Sequence, residues 1–260
     1  MTRPSFRGHV RLVEELASNA WPAYVVQVVG GWRLRFTPEV RARRSNSVLP
    51  LDDDGSVALE EKLEVVEDFY GRRDVPVRYQ ISPGVAPDGL DVLLEERGFA
   101  VEAPVHVQTA PIDRVVSPTS RAAFEGMVQI SSEPAEPWLA TWTELYRRGD
   151  PRTVRRLILD RIGPTTGFAL LEAGGRAMAV GMGVVERGWL GVFSMGTLPD
   201  VRRQGAGRAV LNALARWGES EGATRAYLQV EEDNEPAHRL YEGGGFRTAY
   251  GYHYRTRPSA

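Results

Sequence analysis

The stretch from Val201 to Val210 reads VRRQGAGRAV and decides the fold. It follows an apolar segment and precedes a segment in which Val210, Leu211, Leu214 and Trp217 fall on one helical face. A glycine-rich turn between a strand and a helix is a generic anion site, because the first helical amides lack an internal partner and the helix dipole favours negative charge. The alternative reading is a solvated, arginine-rich helix start.

Individual residues of this stretch fit an anion. Gly205 and Gly207 would let a ligand approach the backbone closely. Arg202, Arg203 and Arg208 could add charge-assisted hydrogen bonds. The spacing Arg-x-x-Gly-x-Gly differs from the dinucleotide fingerprint and from the lysine-containing P-loop.

Composition excludes several classes of protein. The 260 residues are 42% hydrophobic and 25% charged, which is typical of a globular protein. A net charge of -2 gives no reason to expect a nucleic-acid partner. The absence of cysteine excludes disulfides and thiolate nucleophiles, and the four histidines show no metal-ligand spacing, so we expect no metal. Without an 18-residue apolar run or an apolar N-terminal segment, we expect a cytoplasmic protein that does not contact a membrane.

Hydrophobic periodicity predicts an alternation of strands and helices on both sides of a candidate linker at 109–119. Gly243, Gly244 and Gly245 are expected to end one helix through positive φ angles. The predicted strands are 24–29, 32–36, a strand ending at 48–49, 77–81, 101–108, 167–172, 177–186, 189–198, 225–230 and 248–255; the predicted helices are 57–70, 88–97, 137–148, 151–162, 207–221 and 236–242.

The two halves of the chain repeat the same order of elements. The stretch Val48-Leu49-Pro50 aligns with Thr197-Leu198-Pro199, and 31 residues separate Pro50 from Ile81 as they separate Pro199 from Val230. Each half then reads short helix, Gly-Phe, strand. This constant spacing indicates an internal duplication.

Two longer segments resemble a known family. VFSMGTLPDVRRQGAGRAVLNAL (192–214) is similar to the strand–loop–helix signature of the GNAT superfamily of acetyl-CoA-dependent N-acetyltransferases, and YLQVEEDNEPAHRLYEGGGF (227–246) resembles its second signature. The resemblance covers roughly 168–254. With the duplication, it implies an α/β (α+β) fold of two tandem GNAT-like domains, each a mixed central sheet flanked by helices: a degenerate copy without a coenzyme site at 1–110 and an acetyltransferase domain at 120–260.

The resemblance also implies residue roles. The pantetheine arm of acetyl-CoA would pair with the end of the preceding strand and contact Asn234, while Tyr241 would lie near the thioester sulfur. The backbone from Arg203 to Arg208 would cradle the pyrophosphate. The full set of implied coenzyme-binding residues is Met195, Gly196, Thr197, Arg202, Arg203, Gln204, Gly205, Ala206, Gly207, Arg208, Asn234 and Tyr241.

Acid–base chemistry narrows the catalytic candidates. Tyr241 shares a helical face with Asn234, and a phenol is protonated at neutral pH, so it can donate a proton to a departing thiolate. Attack by an amine also needs a base. Glu186, at a strand end one hairpin away, is our candidate for this base; the pair Glu231 and Glu232 and also His253 stay open.

The first repeat lacks the features that bind the coenzyme. At the offset of 149 residues, positions 202–207 correspond to Asp53-Asp54-Gly55-Ser56-Val57-Ala58, and carboxylates there would repel a pyrophosphate. The counterpart of Tyr241 is Leu94, which has no proton to donate. We therefore expect one coenzyme site per chain.

Function is then predicted in outline. The leading hypothesis is acetyl transfer to a primary amine by direct attack, because the chain has no cysteine to carry an acyl group. The alternative is a non-catalytic acyl-CoA-binding protein, either a pseudo-enzyme or a sensor. A small-molecule acceptor is favoured, since the first half is expected to cover one side of the cleft, and the internal repeat favours a monomer.

Overall fold

The computed structural model describes residues 5–116, 124, 127–146 and 151–257. The chain divides into two compact units. Unit 1 comprises Met1–His106, Arg156–Arg161 and Tyr250–Ala260, and unit 2 comprises Val107–Arg155 and Ile162–Ala249. The prediction of an α/β (α+β) fold built from mixed sheets flanked by helices is confirmed.

The elements of unit 1 are α1 (Phe6–Ala20), β1 (Val25–Val29), β2 (Trp32–Phe36), β3 (Val48–Pro50), α2 (Leu59–Gly71), β4 (Val77–Ile81), α3 (Leu90–Glu96), the first part of β5 (Ala100–Pro111) and the last part of β11 (Arg247–Arg257). Its sheet has the order β1-β2-β3-β4-β11-β5. Strands β3 and β4 are parallel, with Val48 opposite Tyr79, whereas β4 and β11 are antiparallel. Trp32, Tyr79 and Phe99 meet edge to face in its core.

Helix α1 is an element that the sequence analysis missed. The Ser5 side chain accepts a hydrogen bond from the Gly8 amide and starts the helix, and its buried face carries Val10, Val13 and Leu16. The spacing of three residues between these apolar positions was the available signal. The charges interleaved among them made the segment read as an exposed terminus.

The further elements, which belong to unit 2, are α4 (Ile112–Val115), β6 (Val128–Ser131), α5 (Glu136–Tyr146), α6 (Pro151–Leu157, which crosses into unit 1), β7 (Thr165–Ala173), β8 (Arg176–Glu186), β9 (Trp189–Thr197), α7 (Ala206–Ser220), β10 (Arg225–Glu231) and α8 (Glu235–Gly243). The sheet of unit 2 has the order β5-β10-β9-β8-β7-β6. Strands β9 and β10 are parallel, and the pairs β6–β7, β7–β8 and β8–β9 are antiparallel. Helix α7 buries Val210, Leu211 and Leu214 against one sheet face.

The expected linker at 109–119 is wrong over its described part. Residues 109–111 complete β5, and Ile112–Val115 form α4, with Ile112 and Val115 buried in the core of unit 2. The amide of Ile112 donates to the Thr224 carbonyl over 3.0 Å. The prolines are tolerated because Pro111 sits at the junction of strand and helix, where its missing amide proton removes no helical bond. Residues 117–119 lie outside the described residues.

Both units contain a strand, a helix and a parallel strand in the same order. In unit 1 these are β3, α2 and β4, and in unit 2 they are β9, α7 and β10. Each unit takes its last strand from the other half of the sequence, because β11 pairs with β4 and β5 neighbours β10. The assignment of 1–110 and 120–260 as separate domains stays a prediction.

Candidate active site

A β-bulge distorts β9 two residues before its end. Met182 pairs with Phe193 and Val180 with Gly196, so Gly181 alone faces the two residues Ser194 and Met195. Ser194 has a φ of 52°, which is unusual for a residue with a side chain. The Trp138 indole donates to the Gly181 carbonyl over 3.0 Å. The bulge therefore turns the end of β9 away from a regular ladder.

Strands β9 and β10 stop pairing with each other close to this bulge. Their parallel pairing runs from Trp189 opposite Arg225 to Val192 opposite Leu228, and both strands continue past the last pair. Peptide groups at the end of β9 consequently face a gap on the β10 side. An extended ligand with amide groups could pair there as an added strand.

The stretch VRRQGAGRAV (201–210) spans the turn after β9 and the start of α7. Gly205 is the N-cap of α7 with a φ of 94°, and Arg203 has a φ of 62°. Ala209 donates to the Gly205 carbonyl over 3.0 Å, so the amides of residues 206–208 carry no intrahelical bond. No side chain caps this end of the helix. These amides are suited to an anion.

The side chains of the turn are engaged within unit 2. Arg202 Nε donates to the Thr197 carbonyl over 3.1 Å, and Gln204 Nε2 donates to the Asp200 carbonyl over 3.0 Å. Arg176 pairs with Asp200 through contacts of 2.6 and 3.2 Å. Arg208 points away from the turn and donates to the Leu240 carbonyl over 3.2 Å. The groups that this arrangement leaves available to a ligand are the backbone amides of the turn, more than its arginine side chains.

Tyr241 lies on α8 with 8% of its surface exposed and contacts Phe246 edge to face. Burial raises the pKa of the Tyr241 phenol, and the neighbouring Tyr146 raises it further. A phenol with a raised pKa is protonated at neutral pH and can act as a proton donor. The structure thus gives Tyr241 the protonation state that an acid needs.

Tyr146 is a residue that sequence reasoning missed. Its hydroxyl donates to the Met195 carbonyl over 2.7 Å, next to the bulge. Trp138, Trp142 and Tyr146 recur every four residues along α5 and contact one another in sequence. That aromatic repeat was visible in the sequence, but only the fold connects it to β9.

Asn234 begins α8. Its side-chain oxygen accepts a hydrogen bond of 3.2 Å from the Ala237 amide, which is the usual function of an asparagine at an N-cap. The rest of its amide group is exposed, beyond the end of β10. Gly243 is the last residue of α8, and the helix ends at the glycine run as expected. Of the two glycines that follow it, Gly244 has a φ of -87° and Gly245 has a positive φ of 85°.

The structure does not bring Glu186 to this site. Glu186 pairs with Trp189 at the hairpin end of β9, six residues before Met195. At about 3.3 Å of rise per residue, roughly 20 Å of strand separates the two. Glu186 instead lies 3.6 Å from Arg187. Glu186 therefore lies at the opposite end of β9 from the turn, a position that does not support its selection as the base.

The remaining base candidates are placed differently from one another. Glu231 ends β10, three residues beyond Leu228, the last β10 residue that pairs with β9, so it lies towards the same end of the sheet as Met195. His253 belongs to unit 1, where its Nε2 atom is 3.0 Å from Asp91. The parallel direction of the two strands therefore favours the end of β10.

The loop of unit 1 that corresponds to the turn is occupied by its own salt bridge. The Lys62 amine is fully buried and lies 2.6 Å from Asp53 and 2.7 Å from the Gly30 carbonyl. Lys62, the one lysine of the sequence, thereby compensates the Asp53 carboxylate, and its hydrogen bond lowers the pKa of Asp53. Among the described residues, no group of three or more metal-ligating side chains occurs, and no helix is long and apolar enough to cross a bilayer.

Comparison with known proteins places these features in a class. Residues 8–255 match the family described as "Probable histone acetyltransferase Rv0428c C-terminal". The "Uncharacterized N-acetyltransferase YobR" of Bacillus subtilis is 30% identical over 254 residues, 95% of this chain and 98% of that protein. A GCN5-related N-acetyltransferase from Kribbella flavida has the same fold, with a TM-score of 0.67, 18% identity and coverage of 97% and 95% of the two chains.

A tandem GNAT protein from the clavulanic acid biosynthesis pathway is also similar in fold, with a TM-score of 0.67, 12% identity and coverage of 95% of this chain and 88% of that one. The fold and the bulged, parting strands define a GNAT-type N-acetyltransferase. Within that class, this chain belongs to the family of the Rv0428c C-terminal region.

Proposed function

We propose that this protein transfers an acetyl group from acetyl-CoA to a primary amine by direct attack of the amine. The observation that carries the proposal is the coincidence, at the end of β9, of parting strands, a turn with free helical amides and a buried phenol. A coenzyme A molecule needs these three features together: an edge for its amides, donors for its pyrophosphate and a proton source near its sulfur.

The residues present fit acetyl-CoA as a substrate. The amides of Ala206, Gly207 and Arg208 would hold the pyrophosphate, with Arg203 and Gly205 keeping the turn open through their positive φ angles. A Cβ atom on Gly207 would meet Leu240 at 3.4 Å and Thr197 at 3.5 Å, so larger side chains there would crowd the turn. The remaining coenzyme contacts would come from Met195, Gly196 and Thr197 in β9, from Arg202 and Gln204 in the turn, and from Asn234 and Tyr241 at α8.

Tyr241 would supply the proton for the leaving group. As the amine nitrogen bonds to the acyl carbon and the carbon–sulfur bond breaks, the thiolate would take the phenolic proton. Tyr241 belongs to the hydrophobic core that α7 and α8 form on one sheet face. A phenol in these apolar surroundings loses no proton to solvent before it is needed, since burial disfavours the phenolate.

Glu231 would accept the proton of the attacking amine, directly or through a water. Side chains alternate along β10, so Glu231 shares a face with Tyr227, which contacts Phe193 at 5.9 Å. Phe193 is cross-strand from Met182, and Met182 from Phe168, on which Trp138 of α5 packs. This alternation would put Glu231 on the α5 face of the sheet, and Tyr241 would act from the core that α7 and α8 form.

The acceptor is proposed to be a small amine, and the protein is proposed to act as a monomer. Unit 1 is proposed to bind no coenzyme, because Asp53 and Lys62 already form an ion pair where the turn of unit 2 leaves its amides available. A non-catalytic acyl-CoA-binding protein is the second candidate, and the absence of turnover alongside intact binding would identify it.

Calorimetric titration with acetyl-CoA, followed by turnover with an amine panel, tests the proposal. We expect one site per chain and release of free thiol with at least one small amine. Binding without thiol release from any amine would support the second candidate. Two sites per chain would overturn the assignment of unit 1, and no binding would overturn both functions.

A further inference from the structure

Arg208 occupies an unusual position for a cation. It is the third residue of α7, where the positive end of the helix dipole disfavours a guanidinium. Its side chain leaves this end and crosses to the last turn of α8, where it donates to the Leu240 carbonyl over 3.2 Å. There the dipole favours a cation. Arg208 thus lies in α7, while its side chain donates a hydrogen bond to the C-terminal end of α8.

The glycines after Tyr241 make room for this contact. A Cβ atom on Gly243 would clash with Arg208 Nη2, and one on Gly244 would lie 3.3 Å from Nη1. Gly244 has a negative φ, so backbone conformation does not demand glycine there. The guanidinium lies beside the backbone of the helix end, and desolvation there lowers the pKa of Arg208. A side chain at position 243 would therefore displace the arginine head.

The contact joins the two parts of the site. The backbone amide of Arg208 is one of the three free donors of the turn, while its guanidinium holds the residue that directly precedes Tyr241. The amides of Gly244 and Phe246 bond to the Tyr241 carbonyl over 2.9 and 3.1 Å, so the helix end is an ordered structure that a tether can orient.

We propose that Arg208 is a positioning residue that fixes Tyr241 relative to the coenzyme-binding turn. The inference rests on the proposed function for its kinetic consequence, although the tether itself is independent of it. Arg208 acts through the orientation of α8 and not through contact with the reacting atoms. A residue in the binding turn thereby also sets the geometry of proton donation.

The first experiment is a double-mutant cycle between Arg208→Met and Tyr241→Phe. Methionine keeps an unbranched apolar stem and removes the guanidinium. We expect Arg208→Met to lower kcat about tenfold and to change the KM for acetyl-CoA less than twofold, since a misplaced acid reduces only the chemical step. In the Tyr241→Phe background the same substitution should have no further effect, because no acid is left to misplace.

The second variant, Gly243→Ala, keeps Arg208 and displaces its head. We expect the same direction of change in kcat as for Arg208→Met, and no added loss when both substitutions are combined, because the methyl group then fills the vacated space. Gly71→Ala is the matched control, since Gly71 also ends a helix and a Cβ there meets nothing within 4 Å.

Amide hydrogen exchange separates failure of the tether from failure of the enzyme function. Exchange at Gly244 and Phe246 should accelerate in Arg208→Met and in Gly243→Ala, whether or not wild type turns over an amine. An increase in the acetyl-CoA KM with unchanged kcat would show that the guanidinium binds the coenzyme, and would overturn the proposal. Multiplicative losses in the cycle with Tyr241→Phe would overturn it as well.

Discussion

The Tyr146 hydroxyl donates a 2.7 Å hydrogen bond to the Met195 carbonyl, immediately after the bulge residue Ser194. Helix α5 thereby fixes the segment of β9 that faces the gap. We predict that Tyr146→Phe lowers kcat/KM about tenfold, because the strand end that would orient the thioester loses one of its supports. Tyr24→Phe, at an exposed tyrosine of unit 1, is the control. An unchanged kcat/KM for Tyr146→Phe would show that the bulge keeps its conformation without this hydrogen bond.

Removal of the Tyr241 hydroxyl should affect chemistry and spare binding. We predict that Tyr241→Phe lowers kcat about 100-fold, the scale of a lost general acid, with an unchanged dissociation constant for acetyl-CoA by calorimetry. Because burial raises the pKa of Tyr241, its loss of a proton should cause no decline of wild-type kcat below pH 10. Full activity of the phenylalanine variant would remove the acid role.

The base assignment follows from the end of the sheet at which each carboxylate lies. We predict that Glu231→Gln lowers kcat/KM about 100-fold, because the amide cannot accept the amine proton. Glu186→Gln should leave kcat/KM unchanged, since Glu186 lies at the hairpin end of β9. The reverse pattern in the two variants would refute the assignment.

Gly205 and Gly222 have similar positive φ angles, so substitutions at the two positions distinguish an effect on coenzyme binding from an effect on folding. Gly205 has a φ of 94° at the start of α7, and Gly222 has a φ of 88° just after its end. Alanine should destabilise the fold at either position, by about 1 kcal/mol. We predict that Gly205→Ala, unlike Gly222→Ala, weakens acetyl-CoA binding about tenfold, because the amides of the turn would no longer point at the pyrophosphate. Equal binding by the two variants in calorimetry would argue against the turn as the pyrophosphate site.

Glu102 makes the stability of the protein depend on acid pH. It accepts hydrogen bonds from Thr256 and from Arg43 over 2.7 and 2.6 Å, and these contacts, with the charge of Arg78, lower its pKa to about 2 from 4.5 despite the opposing effect of burial. A lowered folded-state pKa stabilises the protein above the unfolded-state value, and the contribution is lost as pH falls from 4.5 towards 2.

We therefore predict that Glu102→Gln lowers the free energy of unfolding by about 1–2 kcal/mol near pH 7. The difference between wild type and variant should shrink progressively below pH 4.5. Urea unfolding of both proteins across this range checks the prediction. A difference that does not vary with pH would mean that the carboxylate charge contributes nothing.

Sequence reasoning identified the elements around the turn well because local signals agree there. The strand 77–81 was predicted with its observed ends, and the helix after the turn was displaced by one residue. It failed where a helix carried many charges, as in α1, and where prolines suggested a linker although β5 and α4 continue through it. Periodicity was present in α1, but composition outweighed it.

The candidate site residues likewise divide into those that a local motif predicts and those that depend on contacts between distant parts of the chain. The glycines of the turn and Tyr241 follow from local motifs, whose chemistry depends on the peptide backbone and a phenol at fixed spacing. Glu186 was misplaced and Tyr146 was missed, because distance along a strand and the approach of α5 to β9 involve residues far apart in the sequence. At Gly243 an added Cβ atom would meet the head of Arg208, which is distant in the sequence, and the sequence alone did not show this contact.

The sequence by itself determined the class of fold, the order of elements and the position of the glycine-rich turn, since each depends on periodicity or on residues within a few positions of one another. Only the tertiary structure decided where β9 and β10 stop pairing, that Glu186 lies at the hairpin end of β9, and which helix end the Arg208 side chain contacts. Those relationships arise from strand pairing and from packing between helices. Both involve residues far apart in the sequence, so a short motif does not predict them.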